Sequence, residues 1–326
     1  MTIDHLRKRL PDSPDAKERP STSGSRAEGA KYRRRNRQAT WLFLTPWLIG
    51  LLAITIGPML ASLYLSFTDY NLLGRLKWVG LDNYTRMFTD DPRFIDSALV
   101  TLRYVIISVP IQLGFALAIA VVLNQGIRGL GFYRSVYYLP SLLGSSVAIA
   151  LLWRQIFGSE GLVNQGLSML GFQELPNWIA MPEYALGTLM LLNVWTFGSP
   201  MIIFLAGLRQ VPEDLYEAAA VDGAGRWTKF WKITIPMISP VIFFNLVLQM
   251  IGAFQTFTQA YVVSGGTGGP VDSTLFYTLY LYQKAFTDFN MGYASAMAWV
   301  LLVIIALFTA VAFGTSKKWV HYGGEK

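Results

Sequence analysis

Six stretches of the chain contain no Asp, Glu, Lys or Arg: 41–68, 104–127, 135–153, 184–208, 233–271 and 289–316. Each is long enough for the roughly 20 apolar residues that cross a bilayer as helix. The pattern predicts an all-α integral membrane protein with six transmembrane helices. The run 233–271 has length enough for two spans. Its end, SGGTGGP (264–270), is too rich in glycine for helix and reads as a loop. The spans are interrupted. Pro58, Pro110, Pro140, Pro200 and Pro240 lie in or near them. Each removes a backbone donor, and the carbonyl it frees needs protein or water close by. Gln112, Asn193, Asn245, Gln249, Gln255 and Thr258 also fall at span depth. Such groups either bond helix to helix or line a wet pathway. Gly114 and Ala118, four apart, fit close helix packing.

Composition agrees with a membrane chain. Of 326 residues, 53% are hydrophobic and only 14% charged, with mean hydropathy +0.38. A soluble protein of this length would carry more surface charge. The net charge of +7 does not point to nucleic acid, because eleven of the 27 Lys and Arg lie in residues 1–40, with five acids among them. This segment has few apolar residues and is expected to be a disordered basic tail. It lacks a signal-peptide pattern, since the first apolar run starts only at Trp41 and continues too far.

Charge also sets an expected orientation. Residues 125–134 carry Arg128 and Arg134 with no acid, and the C-terminal tail 316–326 carries Lys317, Lys318 and Lys326 against Glu325. Residues 154–183 carry Arg154 against Glu160, Glu174 and Glu183, and 264–288 carry Lys284 against Asp272 and Asp288. Lys and Arg near span ends favour the cytoplasmic side. Both tails, 125–134 and 209–232 are therefore expected inside, and 69–103, 154–183 and 264–288 outside. An even number of spans requires this agreement of the two ends.

Several chemistries have no residues to carry them. The chain has no cysteine, hence no disulfide framework and no thiolate metal site. No lysine follows a glycine, so there is no P-loop. The histidines are His5 and His321, both in tails, which excludes HExxH and histidine-based triads. No charged residue lies deep in a span, where proton- or ion-coupled transporters commonly keep a relay. The sequence reads as a pathway without an engine. No cofactor or metal is expected.

The segment 212–240 is the exception to the apolar pattern. It holds Glu217, Asp222, Arg226, Lys229 and Lys232 between two spans. A charge at the bilayer centre costs about 2.5–3.5 kcal/mol on insertion scales, so the segment must lie at a surface. Pro212 can take the first helical position, with Glu213 and Asp214 at the positive end of the helix dipole. LYEAAA continues a short helix, Gly223 and Gly225 break it, and RWTKFWKITIP begins a second helix leading into the fifth span. From these residues alone it is either an amphipathic connector or a docking helix.

The stretch EAAAVDGAGRWTKFWKITIPMISP resembles the EAA loop of binding-protein-dependent importer permeases. The matching positions are Glu217, Ala218, Ala219, Asp222, Gly223, Ala224, Phe230, Ile233, Pro236 and Pro240. FTDYNLLGRLKWVGLDNYTRMFTDDPRF (67–94), FLAGLRQVPEDLYEAA (204–219) and the TGGP before Thr274 are similar to the carbohydrate, maltose-type branch of that family. The resemblance spans roughly 41–315 and leaves the tail before Trp41 unassigned. It implies the type I importer permease fold, with 41–315 as one permease domain and 217–223 as a cytoplasmic coupling helix. It implies a separate dimer of ATP-binding subunits that hydrolyses ATP, so that this chain is itself no enzyme. It further implies a second, similar permease chain and an extracytoplasmic sugar-binding protein, in a bacterial cell membrane. The substrate would be a sugar. Two other classes remain to be weighed: a stand-alone secondary transporter or channel, and a membrane-bound enzyme.

A sugar presents hydroxyl rims and apolar C–H faces, so a passing site needs amides or hydroxyls beside aromatic planes. In the last three spans the candidates are Asn193, Trp195, Gln249, Phe254, Gln255, Thr258, Tyr261, Tyr293 and Met297. Gln255, Thr258 and Tyr261 recur at intervals of three, and Tyr293 and Met297 are four apart. Such intervals keep residues on one helix face. The same residues would serve equally to pack helices together.

The orientation is tested by labelling, which the absence of cysteine makes clean. A cysteine at Ser273 is expected to react with an impermeant thiol reagent in intact cells, and one at Ser25 to stay unlabelled. Labelling of Ser25→Cys alone would reverse the orientation.

Overall fold

The computed structural model describes residues 40–321, except 72, 73, 75, 127 and 128. The expected tail, but for Thr40, and residues 322–326 lie outside the described residues. Two compact units are distinguished, Met1–Leu60 and Ala61–Lys326. In the first, the described residues belong to helix α1 (Thr40–Ser66), which buries none of its most apolar stretch.

The second unit is built on one long helix. After α2 (Asp82–Thr89), helix α3 runs over Pro92–Leu123. Its 32 residues span about 48 Å, well beyond a hydrocarbon core of about 30 Å. The expected outer loop 69–103 is therefore partly helix: α2 and the first turns of α3 fill it. Ser97, Val100, Thr101, Tyr104, Val105, Ser108, Val109, Gln112, Leu113, Ala116 and Ala120 are buried along α3. Their steps of one, three and four residues make a continuous stripe on a 3.6-residue helix. Against it pack α7 (Pro182–Trp195), α8 (Gly198–Leu208), α11 (Ser239–Phe254) and α13 (Tyr277–Tyr282).

Two further apolar runs are straight: α3 and α14 (Met291–Ser316) join α1 as helices long and apolar enough to cross a membrane. The remaining three runs are broken. Helices α4 (Leu130–Leu143) and α5 (Val147–Ile156) meet at 95°, α7 and α8 at 42°, and α10 (Arg226–Met237) and α11 at 65°. Counting each bent pair as one span gives the expected six. The long fifth run is split further: α11 stops at Phe254, and a short helix α12 (Thr258–Ser264) follows before the glycine-rich turn. In the connection after α5, α6 covers Leu162–Met169. Between α8 and α10 stands α9 (Glu213–Val221).

One cluster ties three helices together. Asp91 caps α3 by accepting from the Phe94 amide at 3.2 Å, with Pro92 opening the helix. The same carboxylate accepts from the hydroxyls of Tyr280, at 2.7 Å, and Tyr293, at 2.6 Å. It thus joins α3, α13 and α14. Arg93 forms a two-pronged pair with Asp272, both bonds 2.8 Å, and its guanidinium lies 5.4 Å from the Tyr280 ring centre. Lys284 pairs with Asp288 at 2.9 Å and lies 5.1 Å from the same ring. Burial opposes ionisation of Asp91, but the Tyr293 and Tyr280 hydroxyls, the Phe94 amide and the charge of Lys284 outweigh it. They hold its carboxyl below the usual carboxylate range. Burial and the neighbouring carboxylate push the Tyr280 hydroxyl the other way, above the usual phenol range.

A depressed carboxylate stabilises the fold above the unfolded-state value of about 3.9, and that stabilisation is lost as pH falls through the folded value. Purified wild type is therefore expected to melt higher than Asp91→Asn above about pH 5, with the gap shrinking below about pH 4. A gap independent of pH would show that the charge of Asp91 does not matter.

Candidate functional site

Three of the breaks occur where the sequence places small and hydroxyl residues inside apolar runs: PSLLGSS (140–146), WTFGSP (195–200) and GAFQTFT (252–258). A helix break inside an apolar run leaves carbonyls and amides without partners, and lipid offers none. Here the partners come from other spans. The α7–α8 break exposes the Thr196 carbonyl. Ser141 of α4 donates to it at 2.7 Å, and the Gln112 amide of α3 at 3.3 Å. Ser141 Oγ in turn accepts from the Ser199 amide at 2.8 Å, so one hydroxyl serves both sides of the break. Gln112 also donates to Thr196 Oγ1 at 3.1 Å, and Thr196 donates to the Asn193 carbonyl at 2.7 Å. Asn193 closes the network, donating at 3.2 Å to both Ser108 Oγ and Gln112 Oε1.

Two further breaks, between α4 and α5 and between α11 and α12, are held in the same way. The Gly144 carbonyl, at the α4–α5 break, accepts from Gln259 of α12 at 3.1 Å. The Thr256 carbonyl, between α11 and α12, accepts from the Thr278 hydroxyl at the start of α13. Ser146 caps α5, accepting from the Ile149 amide at 3.3 Å. Glycine is required where two of the breaks touch. A Cβ on Gly198 would sit 2.3 Å from the Tyr137 carbonyl oxygen and 2.7 Å from the Tyr138 Cα, both backbone atoms of α4.

The expected pathway residues do not gather in one place. Asn193 belongs to the network just described. Trp195, half-buried, lies 6.0 Å from the ring of Trp153, whose indole donates to the Thr188 carbonyl at 2.9 Å. Gln249 is half-buried on α11, and Gln255 is exposed at its C-terminal end. The equal spacing of Gln255, Thr258 and Tyr261 does not place them on one face of one helix, because the chain leaves helical geometry between Phe254 and Thr258. Thr258 opens α12, and the exposed Tyr261 ring lies 5.4 Å from Phe257 and 5.5 Å from Tyr282. Phe254 is buried and lines an apolar cleft of about 200 Å³ with Leu102, Leu301 and Phe308. Tyr293 and Met297 are 2% and 0% exposed. Their hydrogen-bond partners are Asp91 and, through the Met297 carbonyl, Tyr277. Ser108, Ser141, Thr196, Gln259 and Thr278 were not among the expected residues. For Ser108, Ser141 and Thr196 the signal was present, as hydroxyls within two residues of glycine or proline inside apolar runs; Gln259 and Thr278 carried no such signal.

The charged segment folds as a short helix and a sharp turn. Pro212 is the capping residue (φ −60°, ψ 134°) and not, as expected, the first helical residue; Glu213 takes that place. Proline leads into the helix with extended ψ, which the α conformation of the next residue does not require it to share. The end of α9 is a Schellman motif: the Gly223 amide donates to the Ala220 carbonyl at 3.0 Å and the Ala224 amide to Ala219 at 2.9 Å. Gly223 sits at φ +75°, where any Cβ is strained. Gly225 (φ −70°, ψ 168°) then caps α10. No residue of α9 is buried; Glu217, Ala218 and Ala220 are exposed. One hydrogen bond ties α9 to α10, between Tyr216 Oη and Thr234 Oγ1 at 2.9 Å. Pro236 lies in the last turn of α10, just before the bend into α11.

Residues 89–317 match the family model described as binding-protein-dependent transport system inner membrane component. The chain is 53% identical over 293 residues to the Probable ABC transporter permease protein YesP of Bacillus subtilis (strain 168), covering 90% of this chain and 95% of that one. It is 32% identical over 283 residues to the lactose transport system permease protein LacF of Rhizobium radiobacter, covering 85% and 94%. The fold is similar to a chain in the crystal structure of a bacterial alginate ABC transporter in complex with an alginate pentasaccharide-bound periplasmic protein. There the TM-score is 0.75 at 23% identity, over 87% of this chain and 96% of that one.

The network at the breaks makes a direct prediction. Ser141→Ala leaves the Ser199 amide without its acceptor and removes one donor from Thr196, a loss of about 1–3 kcal/mol for buried polar groups. The variant is expected to melt several degrees below wild type in detergent, while Ser135→Ala, on the exposed side of the same helix, melts with wild type. Equal melting of the two variants would remove Ser141 from the network.

Proposed function

The chain belongs to the family of binding-protein-dependent transport system inner membrane components, and on that premise we propose that it is a permease subunit of an ATP-driven sugar importer. It is a membrane transport component and, by this reading, works with subunits that hydrolyse ATP elsewhere. The substrate class rests on the company it keeps: LacF is named for lactose, and the residues at 67–94, 204–219 and 267–274 resemble the carbohydrate branch. Its partners would be a dimer of cytoplasmic ATP-binding subunits, a second permease chain and an extracytoplasmic sugar-binding protein. Both ends would face the cytoplasm, with 41–315 as the permease domain.

The observation that carries the reading is α9. A nine-residue helix with no buried residue lacks the tertiary packing that stabilises short helices. It requires a partner, and small Ala218, Ala219 and Ala220 let one approach closely. Glu217, Asp222, Gly223 and Ala224 complete the coupling motif, and Pro236 stands at the far end of α10. An ATP-binding subunit that closes on ATP would displace α9. The Tyr216–Thr234 bond passes that displacement to α10 and through its bend to α11. At the other end of α11 lies the break whose Thr256 carbonyl is held by Thr278. Three of the breaks, at Gly144, Thr196 and Thr256, are held by bonds from other helices, and a shift in α11 would bear on the one at its far end. This is a two-state element biased by a ligand on a partner.

The sugar's route is assigned to the side chains near the breaks that remain open: Trp195, Gln249, Gln255, Thr258 and Tyr261, with Asn193 behind them. Aromatic planes suit sugar C–H faces, and amides suit the hydroxyls. Phe254, Tyr293 and Met297 act as packing around that route.

Two sets of variants test the two halves of this proposal. Gly223→Pro is expected to abolish uptake and weaken co-purification of the ATP-binding subunits while the chain still inserts in the membrane. Survival of both uptake and co-purification would remove the coupling role. Trp195→Ala and Gln255→Ala are expected to change uptake affinity or sugar preference with basal ATPase unchanged in the assembled complex. If assembly, ATPase and uptake fall together, these residues are structural.

A further inference from the structure

Helix α10 carries features that the coupling role does not use. It is bent by 65° from α11, across the single residue Ile238. Membrane spans tilt only modestly from the bilayer normal. A helix bent this far from the end of a span lies nearer the membrane plane than the normal. Its inward side is fixed by the buried Thr234, bonded to Tyr216. Its other side is open: Trp227 is 77% exposed and Trp231 61%. The two indoles are four residues apart, and the Phe230 ring lies 6.3 Å from one and 5.3 Å from the other.

The charges on α10 are all of one sign. Arg226, Lys229 and Lys232 stand in a stretch with no Asp or Glu from 223 to 271. The ion pairs among the described residues are Arg93–Asp272 and Lys284–Asp288, so none of the three cations is neutralised there. Tryptophan beside cations, on a helix running directly into an apolar span, matches the chemistry of the bilayer interface. An indole places its ring among the acyl-chain ends and its N–H among the headgroups. Unpaired Arg and Lys at the same level attract phosphate.

We propose that α10 lies in the membrane–water interface, with Trp227 and Trp231 seated in the lipid and Arg226, Lys229 and Lys232 holding anionic phospholipid headgroups. The lipid surface is the occupant favoured over a protein partner because α10 is continuous with an apolar span and its uncompensated charge is complementary to anionic lipid. The inference rests on membrane embedding alone and stands whether or not α9 couples to an ATPase. It gives α10 a fulcrum: a helix held at the interface turns a push on α9 into a tilt of α11.

Spin labels placed singly by Trp227→Cys, Trp231→Cys and Lys232→Cys in the full chain, which has no native cysteine, test the placement. The labelled chain is assembled with its partner subunits and reconstituted in vesicles of phosphatidylcholine and phosphatidylglycerol. Labels at 227 and 231 are expected to collide more with dissolved oxygen than with a water-soluble nickel chelate, and the label at 232 the reverse. Labels at 227 and 231 shielded from both reagents would mean that protein covers the helix. Preferential collision with nickel would mean water does. Either result overturns the proposal. The charges are tested by mass spectrometry of phosphatidylglycerol retained on the purified chain. Replacing Arg226, Lys229 and Lys232 by Gln is expected to lower retention about fivefold for each charge removed. Unchanged retention, in protein that melts as wild type does, would overturn the headgroup role.

Discussion

A carbonyl inside an apolar run has to find its hydrogen bond within the protein, and much of this structure answers that requirement. The cost of leaving such a group unpaired is on the order of 1–3 kcal/mol even in mutational data. An unbroken helix without proline meets it internally, as α14 does. The broken spans cannot. The Thr196 carbonyl depends on Ser141 and Gln112, the Gly144 carbonyl on Gln259, and the Thr256 carbonyl on Thr278. Each donor belongs to a different helix from its acceptor. Each of these three breaks therefore depends on a neighbouring helix.

The same dependence makes the breaks useful. A loop in water can exchange a lost partner for solvent, so it moves alone. A break held by neighbouring spans moves only when they do. Gly198, pressed against the backbone of α4, leaves no slack between α4 and α8. The cytoplasmic reading of α9 and the interfacial reading of α10 place a lever at one end of α11, and the network lies at the other. Between the two, α11 is a rigid helix packed on α3. The Asp91 cluster fastens the start of α3 to α13 and α14.

The polar stripe on α3 shows why one helix can do this. Gln112 and Ser108 share its buried face with Val105, Val109 and Leu113. That face is mostly apolar and so packs tightly, yet it delivers two polar groups to the α7–α8 break. Asn245 marks the contrast. It is fully buried on α11, and neither its amide nitrogen nor its carbonyl oxygen has a hydrogen-bond partner among the described residues. The network around Thr196 spends its polar groups fully; Asn245 does not.

The sequence alone determined what depends on neighbours along the chain. Runs free of charge require lipid, so the six apolar segments were legible from composition. The turn after α9 was legible because only glycine enters φ +75° without strain, and Gly223 stands there. The surface position of 212–240 followed from the cost of burying charge. What depends on contacts across the chain was decided by the tertiary structure. Gln255, Thr258 and Tyr261 have helical spacing, but the helix stops at Phe254, where a bond from Thr278 of α13 rewards the break. Tyr293 and Met297 have the spacing of a lining face, yet they are buried against the Asp91 cluster and Tyr277, partners remote in sequence. A helix period states which residues share a face. It does not state what that face meets, because the free energy of that choice lies in bonds to residues far along the chain.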